Sequence, residues 1–200
     1  MSERRLVVAI TGASGSVYAV RFLEAVLEHY DRIYLTITEN AATVIRQELG
    51  LDFPVDQMDT QSLLGKYHKK VEMFPAHDLT APPASGSVQH EGMVIIPCSM
   101  GTVGRIASGI SNDLVTRAAD VCLKERRKLI LVVRETPLSL IHLRNLTTLT
   151  EAGAVILPAA PAFYNNPKTI EDLVTFVVAR TMCQLGLEQF IAPEWERPEE

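Results

Sequence analysis

Leu129-Ile-Leu-Val-Val133, Arg134-Glu-Thr-Pro137, a helical stretch from Leu138 to Ala152, and Ala154-Val-Ile-Leu157 follow one another, and this succession decides the fold. The two continuous apolar runs read as short strands buried on both faces, and the helix between them reads as a crossover. Polar residues gather where each run stops: Arg134 to Pro137 after the first, Pro158 to Tyr164 after the second. Ligands of open parallel sheets lie beyond the carboxyl ends of the strands. Arg134, Glu135 and Tyr164 are therefore placed for chemistry.

The same rhythm runs outward in both directions. Leu6 to Ile10 reads as a strand, Thr11 to Ser16 as a turn, and Val17 to His29 as a helix with Val20, Leu23 and Leu27 along one side. Ile33 to Ile37 is a second strand, Ala41 to Leu49 a second helix, and Met93 to Ile96 a strand closed by Pro97. Leu114 to Lys124 and Ile170 to Leu185 are further helices. Such alternation predicts an α/β fold, a three-layer Rossmann-like (flavodoxin-like) open parallel sheet with helices on both faces. Residues 1–189 form one expected domain, and 190–200 an acidic, proline-containing tail that carries Trp195 and is a possible lid. The segment from Asp52 to His90 breaks the rhythm with Pro54, Pro75, Pro82, Pro83 and Ser85-Gly-Ser87. A long excursion of this kind is functional or mobile, and Leu63 to Met73 in its middle reads as a short helix.

Composition narrows the function classes. The 200 residues are 47% hydrophobic and 22% charged, with a net charge of −5, so neither nucleic acid nor an anionic membrane is the expected partner. Cys98, Cys122 and Cys183 are unevenly spaced and odd in number, which argues against a disulfide framework and suits a reducing cytoplasm. The apolar run Leu6 to Ile10 is too short for a signal peptide or a membrane span. No metal site is expected: the histidines lack ligand spacing, and no Asp-Asp-x-x-Asp motif occurs. His142, between Ile141 and Leu143, reads as a hydrogen-bonded core histidine.

Two turns are ready for an anion. Thr11-Gly-Ala-Ser-Gly-Ser16 follows the first strand and opens a helix, whose amino end offers free N–H groups and a positive dipole. It is neither a Walker loop nor the Gly-x-Gly-x-x-Gly fingerprint, and by itself it reads equally as a helix cap. Pro97-Cys-Ser-Met-Gly-Thr102 repeats the arrangement, with hydroxyls at Ser99 and Thr102. Arg117 and Arg180 each interrupt an otherwise apolar helix, so each guanidinium needs a carboxylate or phosphate partner.

These motifs together resemble the UbiX/Pad-type flavin prenyltransferases. The matching stretches include Gly12-Ala-Ser-Gly15, Thr38-Glu-Asn-Ala41, Ala84-Ser-Gly-Ser87 and Met93-Val-Ile-Ile-Pro-Cys-Ser-Met100. They continue through Leu114-Val-Thr-Arg-Ala-Ala-Asp-Val121, Leu123-Lys-Glu-Arg-Arg127, Val133-Arg-Glu-Thr-Pro-Leu138, Leu140-Ile-His-Leu-Arg-Asn145 and Pro158-Ala-Ala-Pro-Ala-Phe-Tyr164. Coverage is nearly complete and weakest from Asp52 to Thr80. The resemblance implies that reduced FMN and dimethylallyl monophosphate bind together and that the prenyl group joins flavin N5 and C6. The product, prenylated FMN, would serve a UbiD-type decarboxylase. Gly12, Ala13, Ser14, Thr38, Ser99, Met100, Thr102 and Arg117 match FMN-holding positions. Lys124, Arg134, Glu135, Tyr164 and Arg180 match the prenyl-phosphate pocket; Ser14 and Glu48 complete the catalytic set. A homo-oligomer, a dodecamer in this family, is implied, with sites at subunit interfaces. Two departures stand out: Thr38 where serine is common, and Ser111-Asn-Asp113 where Ala-Asp-Asn is usual.

The chemistry is consistent with those residue types. Breaking an allylic C–O bond builds charge on the departing phosphate, and preorganised cations stabilise that charge most in the transition state. Two other readings share the flavin turns. An FMN-dependent cysteine decarboxylase typically carries Pro-Ala-Met-Asn where this chain has Pro97-Cys-Ser-Met100. A non-catalytic flavin-binding partner of a hydroxyarylic acid decarboxylase would have lost the phosphate ligands.

Overall fold

The computed structural model describes residues 3–51 and 59–192. Six parallel strands form one sheet in the order β3-β2-β1-β4-β5-β6. They are β1 (Arg5–Ile10), β2 (Arg32–Ile37), β3 (Val71–Pro75), β4 (Gly92–Cys98), β5 (Lys128–Val133) and β6 (Val155–Pro158). The helices are α1 (Ser16–Val26), α2 (Glu39–Leu49), α3 (Thr60–Leu64), α4 (Met100–Ala107), α5 (Leu114–Lys124), α6 (Leu140–Glu151) and α7 (Ile170–Leu185). A 3-10 turn spans Pro82–Ala84.

The continuous apolar strands serve two cores at once. In β1, Leu6, Val8 and Ile10 face a cluster containing Phe22, Leu23, Ile45, Val177 and Met182, so α1, α2 and α7 cover that side. Val7 and Ala9 face the other side, where Val103, Ile106, Ala118, Ala119 and Leu149 bring in α4, α5 and α6. Alternate residues of one strand thus feed opposite layers, as the period of two requires. The order of strands reverses between β1 and β4. Such a switch point opens a crevice at the carboxyl edge, because the following connections leave to opposite sides.

Three expectations change. The helix expected over Leu63 to Met73 resolves into α3 and the edge strand β3, joined by a turn. β4 runs on through Pro97 to Cys98, and α4 follows it at once. His142 is not a core residue: Ser139 caps α6, accepting from the His142 amide at 3.2 Å while the His142 ring takes the Ser139 amide. Only Leu149 of the α6 residues is buried, and Leu140 and Ile141 stand in the open. The proposed Trp195 lid lies outside the described residues, which end at Ala192.

Candidate active site

The switch point holds a cleft of about 600 Å³. That volume lies in the range of cofactor sites. Thr11 and Gly12 reach it from β1, Thr38 from β2, Pro75 to His77 from β3, and Ser99 and Thr102 from β4. Thr11 ties the two central strand ends together: its hydroxyl donates to Pro97 O at 2.9 Å and accepts from Ser99 N at 2.8 Å. The residues that cap three helices line the same space. Thr38 caps α2, Ser99 caps α4 and Asp113 caps α5. The first amides of a helix have no partner within it, and its dipole is positive there, so the cleft is built for an anionic or electron-rich ligand.

Local packing makes this arrangement tight. A Cβ on Gly12 would lie 2.6 Å from Asn40 Cβ, so only glycine lets the first turn lie against α2. Ser99 Oγ accepts from Thr102 N at 3.3 Å and pairs with Thr102 Oγ1 at 3.1 Å. Ala13 and Met100 are buried, and the Met100 side chain belongs to the α4–α5 core. Their contribution to a ligand is therefore confined to backbone. Arg105, which sequence reasoning did not select, also lines the cleft and pairs with Asp113. Burial opposes ionisation of Asp113, but bonds from Thr116 and Arg105 outweigh it and hold the carboxyl below the usual range.

A second groove, about 390 Å³, adjoins the first across the Gly12–Ser16 turn. It brings together three predicted residues: Ser14, Glu48 and Arg134. Arg134 leaves the end of β5 and donates from Nε to Ser14 O at 3.3 Å. Glu48, on the last turn of α2, accepts from Gly15 N at 3.0 and 3.1 Å and from Ser16 N at 2.8 Å. Partial burial opposes its ionisation, but hydrogen bonds from Ser14, Ser16 and Gly15 hold its carboxyl below the ordinary carboxylate value. Tyr18 is the neutral neighbour here. Burial raises its phenol pKa, with Arg134 acting in the opposite sense.

The remaining predicted residues lie elsewhere in the protomer. Tyr164 meets the edge of the Phe176 ring at 6.0 Å, and Arg180 lies one turn further along α7 in a groove beside β6. Glu135 is exposed and accepts from Thr136 N at 3.0 Å. Arg117 is clamped to α5 and the preceding loop: Nε donates to Ala84 O at 3.0 Å and the guanidinium pairs with Asp120 at 2.8 Å. Lys124 pairs with Glu125, and both side chains lie against Gly86. Because α5 runs back along the sheet before β5 begins at Lys128, Lys124 lies at the amino edge of the sheet and Arg134 at the carboxyl edge. A six-residue strand separates those edges by roughly 17 Å.

A family model described as Flavoprotein matches residues 1–182. A protein named flavin prenyltransferase UbiX from Alkalihalophilus pseudofirmus is 46% identical over 193 residues, covering 96% of each chain. A UbiX crystal structure in complex with FMN and dimethylallyl pyrophosphate has a TM-score of 0.87 and 40% identity, covering 99% of this chain and 100% of that one. A dodecameric FMN-dependent UbiX-like decarboxylase from Escherichia coli O157:H7 has a TM-score of 0.86 and 40% identity, covering 96% and 100%. An FMN-dependent cysteine decarboxylase from thioviridamide biosynthesis has a TM-score of 0.60 at 16% identity, a likeness of fold alone.

Proposed function

The chain belongs to the UbiX family of flavin prenyltransferases, and from that premise we propose how its own residues divide the work. The reaction joins the dimethylallyl group of dimethylallyl monophosphate to N5 and C6 of reduced FMN. The observation that carries this reading is the adjacency of two sites: a cleft ringed by helix caps and a groove holding Ser14, Glu48 and Arg134.

The cleft suits FMN on its own chemistry. Gly12 lets backbone approach closely, Thr38, Ser99 and Thr102 bring hydroxyls, and the first amides of α4, those of Met100 and Gly101, lie at the open end of that helix. When bound there, reduced FMN supplies the electron-rich ring atoms that accept the prenyl carbon. Arg134 holds the substrate phosphate beside the turn and stabilises the charge that grows as the C–O bond breaks. Its Nε bond to Ser14 fixes the direction of the guanidinium fork, so little freedom is lost when phosphate binds. The Ser14 hydroxyl serves the same group, and Glu48 fixes the turn that carries it. Tyr164, Arg180 and Lys124 complete the phosphate pocket, and Glu135 or the released phosphate takes the proton from C6.

The chain is a homo-oligomer on this reading. Lys124 and Arg134 occupy opposite edges of one sheet, so a second subunit must bring Lys124 to the groove. The exposed Leu140, Ile141 and Leu143 of α6 are apolar surface of the kind that subunit contacts cover. A dodecamer like that of the Escherichia coli relative meets this need. No helix among the described residues is long and apolar enough to cross a membrane. Action in the cytoplasm, with prenylated FMN passed to a UbiD-type decarboxylase, completes the proposal.

The test is mass spectrometry of the flavin extracted after anaerobic incubation of protein, reduced FMN and dimethylallyl monophosphate. A flavin heavier by one dimethylallyl group is expected. Unchanged FMN would leave the chain as a flavin-binding partner without catalysis.

A further inference from the structure

The cleft assigned to the flavin has carboxylates in its wall. Among the described residues that line it, Arg105 is the sole lysine or arginine, and Glu39 and Asp113 are the carboxylates. Glu39 is exposed in the first turn of α2, where solvent screens it. Asp113 is half-buried, and its Oδ1 caps α5 by accepting from Thr116 N and Thr116 Oγ1, both at 2.7 Å. Asparagine caps a helix as well, so the cap itself does not require a full negative charge. Burial opposes ionisation of this carboxyl, but the bonds from Thr116 and Arg105 prevail and keep it charged at neutral pH. Arg105 answers that charge. It sits in the last turn of α4, where a basic side chain ordinarily meets the carbonyls of its own helix. Its guanidinium turns instead to the cleft wall. Nη1 donates to Asp113 Oδ2 and, at 3.4 Å, to Asn112 Oδ1, while Nη2 donates to Thr102 Oγ1 at 3.4 Å. The fork is occupied by the protein, so Arg105 is not placed as a direct phosphate ligand.

We propose that Arg105 is a positioning residue for FMN, one that cancels the Asp113 carboxylate and steadies the Thr102 hydroxyl so that the cleft accepts an anion. The proposal rests on the assignment of this cleft to FMN. The phosphate of FMN carries close to two negative charges at neutral pH, as other phosphate monoesters do. An uncancelled carboxylate about 10 Å from such a group near a protein surface weakens binding about tenfold. The alternative role for the pair is a tie between α4 and α5. A tie is lost whenever either partner is removed, whereas repulsion disappears once the carboxylate is gone as well.

The experiment titrates FMN into the flavin-free oligomer and follows flavin fluorescence at low and at high salt. Arg105→Ala leaves the Asp113 charge bare and should weaken FMN binding about tenfold at low salt, with the deficit shrinking as salt is added. Combining Arg105→Ala with Asp113→Asn removes both charges and keeps the α5 cap. Affinity in that double variant should return to within about threefold of wild type. A double variant as weak as Arg105→Ala, or full FMN affinity in Arg105→Ala, overturns the proposal. If Arg105→Ala does not fold, Asp113→Asn alone decides the matter. It should tighten FMN, because an unopposed guanidinium then faces the cleft, and equal or weaker binding overturns the proposal. Failure of the underlying assignment looks different: Gly12→Ala, which reshapes the same cleft, would then keep full FMN affinity.

Discussion

Two basic regions of this chain look alike in sequence and behave differently in the fold. Arg117 and Lys124 lie on α5 against the loop that contains Ala84 and Gly86, and their charges are met by Asp120 and Glu125. Arg134 lies at the opposite edge of the sheet, where its Nε donates to a single carbonyl, that of Ser14. One region has its cations neutralised by carboxylates one and three residues away along the chain. The other keeps a guanidinium whose terminal nitrogens remain for a ligand. A basic residue is a candidate for phosphate when its fork is aimed but not filled, and the difference is readable only from partners.

The sharpest way to break that comparison is Arg134→Ala. If Arg134 meets the leaving phosphate, prenylated-flavin formation should fall about a hundredfold or more, as for loss of one preorganised donor, while FMN binding to the separate cleft changes little. Arg134→Lys should recover part of the rate, because an ammonium carries charge without the planar fork. A normal rate in Arg134→Ala would place the phosphate elsewhere.

Lys124 offers the next largest effect and a stricter test. Lys124→Ala should reduce prenylation about tenfold or more, despite the distance of this residue from Arg134 in one protomer. Dissociated and reassembled mixtures of the Lys124→Ala and Arg134→Ala chains should regain activity, since some sites would combine the intact Arg134 of one chain with the intact Lys124 of another. Mixed oligomers with no more activity than either parent would show that Lys124 does not act across an interface.

Gly12 tests the cleft itself. Its added Cβ would meet Asn40 Cβ at 2.6 Å, backed by backbone at 3.3 Å, so Gly12→Ala forces the turn away from α2. Strain of that kind costs about 1–3 kcal/mol. FMN affinity and thermal stability should fall together, as measured by flavin fluorescence and calorimetry. Stability that drops with full FMN affinity would exclude the turn from the flavin site.

What the sequence made legible follows the same division. β5, α6 and β6 were readable because fully buried parallel strands leave continuous apolar runs. β3 was not, because Val71-Glu-Met-Phe-Pro75 is a short edge strand, only Val71 of it is buried, and it ends on a proline. α4 escaped because Gly101 and Gly104 weaken its helical signal and its first turn reads as loop. The adjacency of Ser14 and Arg134 was half visible, since both follow strands. Glu48 at the start of α1, reaching it from α2, was visible only through family resemblance, because nothing local marks the last turn of α2 as the cap of another helix. Arg105 gave no signal at all: one basic residue in the last turn of a helix normally serves the helix dipole. Nor could spacing reveal that Lys124 and Arg134, ten positions apart, lie at opposite edges.

Arg117 gives the smallest expected effect and the finest test of the comparison. Family resemblance places it with the flavin, whereas in the protomer its Nε is bonded to Ala84 O at 3.0 Å and its guanidinium to Asp120 at 2.8 Å. Those bonds fasten α5 to the Pro82–Ala84 turn, which also packs against Leu114 at the start of the helix. The Asp120 pair is partly exposed and contributes little, while the bond to a carbonyl contributes about 1 kcal/mol. Arg117→Ala should therefore lower the unfolding midpoint modestly, and Asp120→Asn should lower it less. FMN affinity should stay within about twofold of wild type, because neither bond reaches the residues that line the cleft. A larger loss of FMN in Arg117→Ala, with stability unchanged, would mean that this guanidinium leaves its clamp for a ligand, and the distinction between filled and open forks would fail at the residue where it is easiest to check.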